Sequence, residues 1–367
     1  MKIERVQATA ISIPLQAPVA DAVRQITHRD HYMAEITADG ITGVGFTLGY
    51  DSSLAMVSMT DTIFRPLLMG KDALRSEDLW AEMYRQSIQA GRRGAAVRAI
   101  SAIDIALWDL RGQHARLPVM ALLGIHNTRQ RCYATGGYFR DGQTHEELAR
   151  EYVRYREAGF TAAKLKVGKF SAREDAARMA AVRRAVGEDM DILLDANGGW
   201  SGAPEAVAAM RRLEEHNPYW IEEPVRADNV AAMARIADAL DTPVATGELE
   251  ATRWAFAGLL HRRAADILQP DATVCGGVGE WLKIAHMAAA FDIPIAPHYN
   301  WDVHTQLLAT IPNGLFIEYF VRWSEVKVFD AVLENPMEPV DGWITPRTDP
   351  GFGWRFRRDK LQEYRIG

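Results

Sequence analysis

The sequence predicts an α/β fold built on a parallel (β/α) barrel, preceded by a lobe of strands and helices. Two observations lead to this prediction. Eight short apolar strand candidates alternate with amphipathic helices between residues 126 and 324, which is the pattern of a parallel barrel. Polar side chains also follow the ends of these strands at similar intervals. The earlier residues, 1–125, have a different pattern and are taken first.

Strands dominate the start of this first lobe. Ile3–Leu15 alternates like one strand, and Tyr32–Ala38 and Ile41–Thr47 flank Asp39-Gly40, a strong signal for a two-residue hairpin turn. The segment between them, Gln16–Asp30, is polar and has no clear periodicity. A connection of that length predicts a lid or binding loop, or else a plain surface loop.

Helices follow the strands of the lobe. Leu74–Ile88 is amphipathic, and Gly94–Arg111 carries an apolar stripe at helical spacing that indicates packing rather than chemistry. We expect Gly112 to end this helix.

Composition excludes several classes of function. The chain has 367 residues, of which 25% are charged and 48% hydrophobic, with a net charge of −6 and no basic run, so nucleic acid is not an expected partner. Its two cysteines, Cys132 and Cys275, favour a reducing compartment over a disulfide framework. Met1–Leu15 lacks the apolar core of a signal peptide, and no apolar run reaches membrane-spanning length. We therefore expect a cytoplasmic protein without membrane contacts.

The predicted barrel strands share a short apolar pattern. They are Arg131–Thr135, Ala162–Lys166, Asp191–Asp195, Tyr219–Glu222, Pro243–Thr246, Asp266–Leu268, Ile293–Ala296 and Leu315–Glu318. Thr144 with Glu147, and Ser171 with Glu174, predict capping boxes at the starts of the first two intervening helices.

A charged or imidazole side chain falls at the end of seven successive strand candidates. These residues, spaced 20 to 29 positions apart, are Lys166, Asp195, Glu222, Glu248, Asp271, His298 and Glu318. In a barrel the C-terminal ends of the strands form one mouth, where active sites are built. Seven such residues in register therefore predict an active site there.

Three of these residues predict a metal site. Asp195, Glu222 and Glu248 come from consecutive strands and would repel one another without a divalent cation between them. Oxygen ligands suit Mg²⁺, with Mn²⁺ as the next choice, whereas a zinc site would need more histidine. The competing interpretation for each acid is a helix cap or a salt bridge, and we expect that role for Glu223.

Two further groups predict proton transfer. Lys164 and Lys166 share one face of a strand, and two ammonium groups held close are expected to lower each other's pKa towards that of a useful base. Asp271 and His298 end neighbouring strands, so a hydrogen bond between them would fix the imidazole tautomer. A metal flanked by two such groups suits removal of the proton α to a carboxylate, with the cation stabilising the enediolate.

The sequence resembles the enolase superfamily, and within it the mandelate racemase subgroup. The resemblance covers nearly the whole chain and is carried by a set of motifs that is specific in combination: Ala102–Leu110 with Gly112, Lys164-Leu165-Lys166, Leu194-Asp195-Ala196-Asn197, Ile221-Glu222-Glu223-Pro224, Gly247-Glu248, Gln269-Pro270-Asp271, Gly276-Gly277, Pro297-His298 and Ile317-Glu318.

The resemblance implies a modified TIM-type barrel, residues 126–324, under an α+β capping domain. Residues 1–125 would form that domain together with the returning C-terminal segment, 325–367. Asp195, Glu222 and Glu248 match the Mg²⁺ ligands of the family. Lys166 matches the base and Lys164 its neighbour, Asp271 and His298 match the dyad, and Glu318 matches the acid that hydrogen-bonds the substrate carboxylate.

The resemblance also implies where specificity lies. The capping loops around Arg24, His28 and Tyr50 would select the substrate, and we expect Arg24 to meet a distal carboxylate. Residues that follow strand ends are further candidates for the sugar site: Tyr138, Asn197, Tyr299, Asn300, Trp301 and Asp302. Two features disfavour mandelate itself, namely the absence of lysine between Ile267 and Leu282 and a capping loop too polar for an aromatic ring.

We therefore interpret the sequence as a Mg²⁺-dependent acid-sugar dehydratase that forms a 2-keto-3-deoxy acid, and expect it to be a homo-oligomer. Lys166 would remove the α-proton, and His298 would help the β-hydroxyl to leave. A racemase, epimerase or lactone cycloisomerase acting through the same enolate is the nearest alternative. A non-catalytic sugar-acid binder is a more distant one, because binding alone does not require both Lys166 and His298.

Overall fold

An antiparallel sheet opens the chain in the computed structural model, which describes residues 1–367. Its four strands lie in the order β12-β1-β2-β3, with bounds β1 Ile3–Ala20, β2 Gln25–Ala38, β3 Ile41–Leu48 and β12 Arg365–Ile366. Asp39 and Gly40 have φ angles of 51° and 75°, so the predicted two-residue turn between β2 and β3 is confirmed. The last strand, β12, brings the C-terminus back to β1.

The expectation of a long loop at Gln16–Asp30 is wrong. These residues form the far ends of β1 and β2, which pair as a hairpin through Val19 and Ala20. A register shift between Pro14 and Val19 breaks the alternation of β1, and this irregularity made the segment resemble a loop in the sequence. At the tip, Ala20 also bridges Phe139 of the barrel, so the hairpin reaches over the barrel mouth.

Five α-helices complete the N-terminal lobe. They are α1 Ser53–Met59, α2 Arg65–Leu68, α3 Ser76–Ser87, α4 Ala95–Ala115 and α5 Val119–Leu123. The prediction that Gly112 ends α4 is wrong, because the helix continues to Ala115 and ends at Arg116 in a left-handed conformation. Gly112 serves a close contact instead, since a Cβ atom there would lie 2.6 Å from the Cα of Gly351.

Parallel strands form the second sheet. In chain order they are β4 Gln130–Thr135, β5 Ala162–Lys166, β6 Asp191–Asp195, β7 Pro218–Glu222, β8 Val244–Thr246, β9 Ile267–Leu268 and β10 Ile317–Tyr319. From β4 to β9 each strand pairs with the next, and β10 pairs with β4. The predicted strand Ile293–Ala296 is reduced to bridges from Ile295 to Leu268 and to Gly314, and these close the ring between β9 and β10. The modified barrel is thereby confirmed.

Helices cover the outside of the barrel. They are α6 His145–Glu157, α7 Ala172–Val186, α8 Ala203–Leu213, α9 Val230–Ala239, α10 Thr252–His261, α11 Val278–Ala289 and α12 Trp301–Leu308. Thr144 and Glu147 form a reciprocal capping box. Ser171 accepts from the backbone of Glu174, but the Glu174 carboxylate bonds His145 instead, so the second box is only half formed.

The C-terminal tail contains little regular secondary structure. It contains β11 Trp343–Ile344, which pairs antiparallel with β4, and α13 Arg358–Glu363. A fully buried ion-pair network fastens the tail to the barrel: Asp302 of α12 contacts Lys327 at 2.9 Å and Arg347 at 2.8 Å. No helix of the structure combines the length and the apolar composition that a membrane span needs.

Candidate active site

Three buried carboxylates converge where consecutive strands end. Asp195 ends β6, Glu222 ends β7, and Glu248 follows β8 by two residues. One oxygen from each lies within 4.8 Å of the others. Burial and the charge of Asp195 raise the pKa of Glu222 to about 8, and its Oε2 atom is buried without a hydrogen-bond partner. An all-oxygen donor set with one unused oxygen and mutual repulsion fits a hard divalent cation such as Mg²⁺.

The two lysines of β5 contact the same carboxylates. Lys164 Nζ lies 2.9 Å from Glu222 Oε1 and 2.8 Å from Glu318 Oε1, while Lys166 Nζ lies 2.5 Å from Asp195 Oδ2. Burial opposes their charge, but the neighbouring carboxylates outweigh it and raise the pKa of both lysines. The predicted lowering of the pKa is therefore wrong, because opposite charges from other strands lie closer than the second ammonium group.

His298 and Asp271 form the predicted pair. His298 Nδ1 donates to Asp271 Oδ2 at 3.0 Å. Burial opposes the imidazolium, but Glu248 and Asp271 raise the pKa of His298 to about 10, so the ring is protonated at neutral pH. A second imidazole, that of His304, lies nearby: its Nε2 is 3.4 Å from Asp271 Oδ1 and 3.0 Å from the backbone nitrogen of Ala272.

Lys166 and His298 lie at opposite ends of the carboxylate triad. Lys166 contacts Asp195 on β6, whereas His298 Nε2 lies 3.6 Å from Glu248, the carboxylate that follows β8. Two proton-transfer groups so arranged can reach a bound molecule from different sides.

Glu318 is held firmly between three partners. Besides Lys164, it accepts from Thr135 Oγ1 at 2.8 Å and from the backbone N–H of Tyr299 at 2.7 Å. Its contact with a substrate stays a prediction.

Four of the residues predicted to bind substrate surround this centre. The Lys166 ammonium lies 5.0 Å from the ring of Tyr138, and the ring of Tyr299 stacks on His298 at 5.4 Å. Tyr50 lies under the guanidinium of Arg24 at 4.5 Å. Asn197 has a left-handed backbone, φ 45°, and its N–H donates to Asp195 at 2.9 Å.

The remaining predicted residues contact other parts of the protein. His28 is 41% exposed and pairs with Asp51 on the surface. Trp301 is 1% exposed and packs under the Lys327 ammonium at 3.1 Å, and Asp302 belongs to the buried tail network described above. Asn300 donates to Thr273 at 2.9 Å and so helps to hold the loop after Asp271.

Glu223 does not have the cap or salt bridge expected from the sequence. It is 3% exposed, has a left-handed backbone with φ 40°, and leaves Oε1 buried without a partner. Burial and the neighbouring carboxylates raise its pKa well above the usual range.

Sequence reasoning did not select two buried arginines near the site. Arg29 lies on β2 and Arg98 on α4, and they are 6% and 7% exposed. The Arg98 guanidinium lies 4.8 Å from the ring of Tyr50, on which Arg24 also rests. The sequence offered no clear signal for them, because Gln16–Asp30 lacks a periodic pattern; only the pairing of β2 shows that residues 28 and 29 point to opposite sides of the strand.

Comparisons with known proteins agree with this geometry. Residues 4–124 match the model of the mandelate racemase / muconate lactonizing enzyme N-terminal domain, and residues 147–360 match that of the enolase C-terminal domain-like family. Arabinonate dehydratase of Saccharolobus solfataricus is 35% identical, over 90% of this chain and 88% of the relative. D-galactarolactone cycloisomerase of Agrobacterium fabrum is 34% identical, over 100% and 99% of the two chains.

A solved structure extends the comparison to the whole fold. The structure of a racemase from Streptomyces coelicolor A3(2) with bound magnesium superposes with a TM-score of 0.93 at 30% identity, covering 99% of this chain and 100% of that one. Both domain models and the full-length relatives lead to the same assignment. The chain belongs to the enolase superfamily, in its mandelate racemase subgroup.

Proposed function

We propose that this protein is a Mg²⁺-dependent dehydratase of sugar acids. The observation that carries the proposal is the placement of Lys166 and His298 at opposite ends of a buried triad of carboxylates. A base and an acid on different sides of one bound substrate suit removal of an α-proton and departure of a β-hydroxyl. The dehydratase named among the relatives supports this reaction class.

Asp195, Glu222 and Glu248 would hold the cation. A bound Mg²⁺ supplies positive charge that polarises a substrate carboxylate and lowers the pKa of neighbouring ammonium groups. Lys166 then takes the proton from the α-carbon. His298, protonated and oriented by its hydrogen bond to Asp271, gives its proton to the leaving hydroxyl, and the enol product tautomerises to a 2-keto-3-deoxy acid.

Lys164 and Glu318 set the charge around the reacting carboxylate. Their ion pair of 2.8 Å is fully buried, so each fixes the position of the other. Glu318 also accepts a hydrogen bond from the backbone of Tyr299, the residue after His298. Glu318 therefore links the strand of Lys164 and Lys166 to the segment that carries His298.

A lactone cycloisomerase is the second candidate, and the full-length match to such an enzyme favours it. Proton abstraction by Lys166 is common to both reactions. The outcomes differ, because a lactone cycloisomerase breaks the ring C–O bond of a lactone and expels the ring oxygen, whereas a dehydratase expels water from an open-chain acid.

One experiment tests the proposal. The protein is incubated with Mg²⁺ and a panel of aldonic and aldaric acids, and 2-keto-3-deoxy products are assayed while α-proton exchange in D₂O is followed by NMR. We expect a keto acid from at least one panel member. Exchange without keto acid from any open-chain acid would favour the cycloisomerase or a racemase, and neither exchange nor product would refute enolate chemistry.

A further inference from the structure

Two arginines near the site are buried without an acidic partner. Arg29 and Arg98 form no ion pair within 4.0 Å, unlike the buried Arg178, which contacts Asp175 at 3.2 Å. A buried charge is costly unless an opposite charge or several hydrogen bonds compensate it. Such a residue beside a binding site therefore indicates that an anion completes it when ligand is bound.

Arg29 has the environment of an incomplete anion site. Its Nε donates to the carbonyl of Val326 at 3.2 Å, and its two terminal nitrogens donate to no protein atom. Its neighbours are phenols: the guanidinium lies 5.6 Å from the ring of Tyr299, whose hydroxyl is buried without a partner. The fork of Arg29 and the free hydroxyl of Tyr299 are donors that match a carboxylate.

The position of Arg29 relates this donor pair to the reacting groups. The Tyr299 ring stacks directly on His298 at 5.4 Å, so Arg29 lies one ring beyond the proposed acid. Adjacent Asp30 does not neutralise it, because the Asp30 carboxylate is bound to Ser53 at 2.5 Å and to the Asp51 backbone at 2.8 Å.

Arg24, the cation first expected in this role, differs in both charge and exposure. It pairs with Asp21 at 2.8 Å and is 39% exposed. Its charge is already balanced, whereas that of Arg29 is not. The two arginines lie on the same hairpin and so form a matched pair for comparison.

We propose that Arg29, assisted by Tyr299, binds the second carboxylate of an aldaric acid, so that the preferred substrate is a sugar diacid rather than an aldonic acid. This inference rests on the proposed function and specifies its substrate class. The first carboxylate of the substrate would bind the cation held by the carboxylate triad, and the second, at the other end of the sugar, would bind Arg29.

The test compares an aldaric acid with the aldonic acid of the same carbon configuration, which differ only at the terminal carbon. Steady-state kcat/KM is measured for the Mg²⁺-loaded wild type, Arg29→Met and Arg24→Met. Binding is measured separately by calorimetry in a Lys166→Ala background, where turnover does not interfere. Circular dichroism checks folding, and if Arg29→Met is unfolded, Arg29→Lys replaces it.

We expect the wild type to prefer the diacid. Arg29→Met should lower kcat/KM and affinity for the diacid by about 10- to 100-fold, the range of a charge-assisted hydrogen-bond pair, and change those for the aldonic acid less than about threefold. Arg24→Met should leave the ratio of the two acids within about threefold. Arg29→Lys should give an intermediate loss, because it keeps the charge without the fork.

Three results would overturn the inference: equal use of the two acids by the wild type, equal losses for both acids in Arg29→Met, or a larger change of the ratio in Arg24→Met. These differ from failure of the proposed function. A protein that bound diacids through Arg29 but released no keto acid would keep the inference and lose the dehydratase assignment.

Discussion

Replacing His298 by asparagine should separate the two halves of the proposed reaction. The substitution removes the imidazolium that lies 3.0 Å from Asp271 and 3.6 Å from Glu248. An asparagine amide can still donate to Asp271, so the buried carboxylate keeps a hydrogen-bond partner. Lys166, which contacts Asp195 rather than His298, is left unchanged.

The expected magnitude follows from the role of each group. Loss of a positioned general acid costs about 100- to 10,000-fold in rate, or roughly 2.7 to 5.4 kcal/mol in the barrier. Formation of keto acid should fall by that factor in His298→Asn. Exchange of the α-proton needs only the base and the cation, so it should stay within about tenfold of the wild type.

Both quantities can be read in one sample. The substrate is incubated in D₂O with Mg²⁺, deuterium incorporation at the α-carbon is followed by ¹H NMR, and keto acid is trapped as a semicarbazone. Lys166→Ala is the converse variant and should lose both reactions. Exchange that persists in Lys166→Ala but disappears in His298→Asn would reverse the assignments of base and acid.

Three further predictions concern the metal, pH and packing. Chelation by EDTA should abolish activity, and Mg²⁺ should restore it. The near-UV circular dichroism spectrum should stay native, because Lys164 and Lys166 also compensate the charge of the carboxylates. Full activity after chelation would exclude the mechanism. Burial raises the pKa of Asp104 to about 7, above ~4 in the unfolded chain, so folding takes up a proton and stability falls as pH rises between these values. The free energy of unfolding is measured by urea titration at pH 4 and pH 8, and Asp104→Asn should reduce the difference between the two values by up to about 4 kcal/mol. An unchanged difference would contradict the prediction. Gly112→Ala should destabilise by about 1–3 kcal/mol in the same assay, because its Cβ would overlap Gly351; a neutral effect would show that the backbones separate easily.

The carboxylate triad could be predicted from the sequence because strand ends in a parallel barrel share one edge. Asp195 and Glu222 pair directly as neighbours across β6 and β7, so spacing along the chain translated into proximity. The same logic placed Asp271 beside His298. Where position at the mouth of the barrel was enough, the sequence predicted the arrangement correctly.

The electrostatics of the site could not be predicted in that way. The pKa of Lys166 depends on Asp195, which is 29 residues away, and on how closely the two side chains approach. The prediction of a lowered pKa considered only Lys164, which lies two residues from Lys166 in the sequence. The charge of Lys164 itself is stabilised by Glu222 and Glu318, which raise its pKa. Proximity in the sequence therefore overstated the repulsion between the two lysines and did not reveal their attraction to carboxylates from other strands.

Substrate selection shows the same limit at the level of a single strand. The sequence predicts a loop at residues 16–30, and in a loop the side chains of Arg24 and His28 could face the site as readily as those of their neighbours. The segment is instead paired as a hairpin, and pairing fixes the direction of each side chain with a period of two residues. His28 consequently points outward to Asp51, while Arg29 turns inward beneath the tail, where the Val326 carbonyl holds it. A loop could exchange these two residues by a small change in backbone angles. β2 cannot, because it is paired with β1, which in turn bridges the barrel at Ala20. Strand register therefore selects Arg29 as the proposed substrate cation, and a one-residue insertion in the hairpin should alter substrate preference more than any single change at its tip.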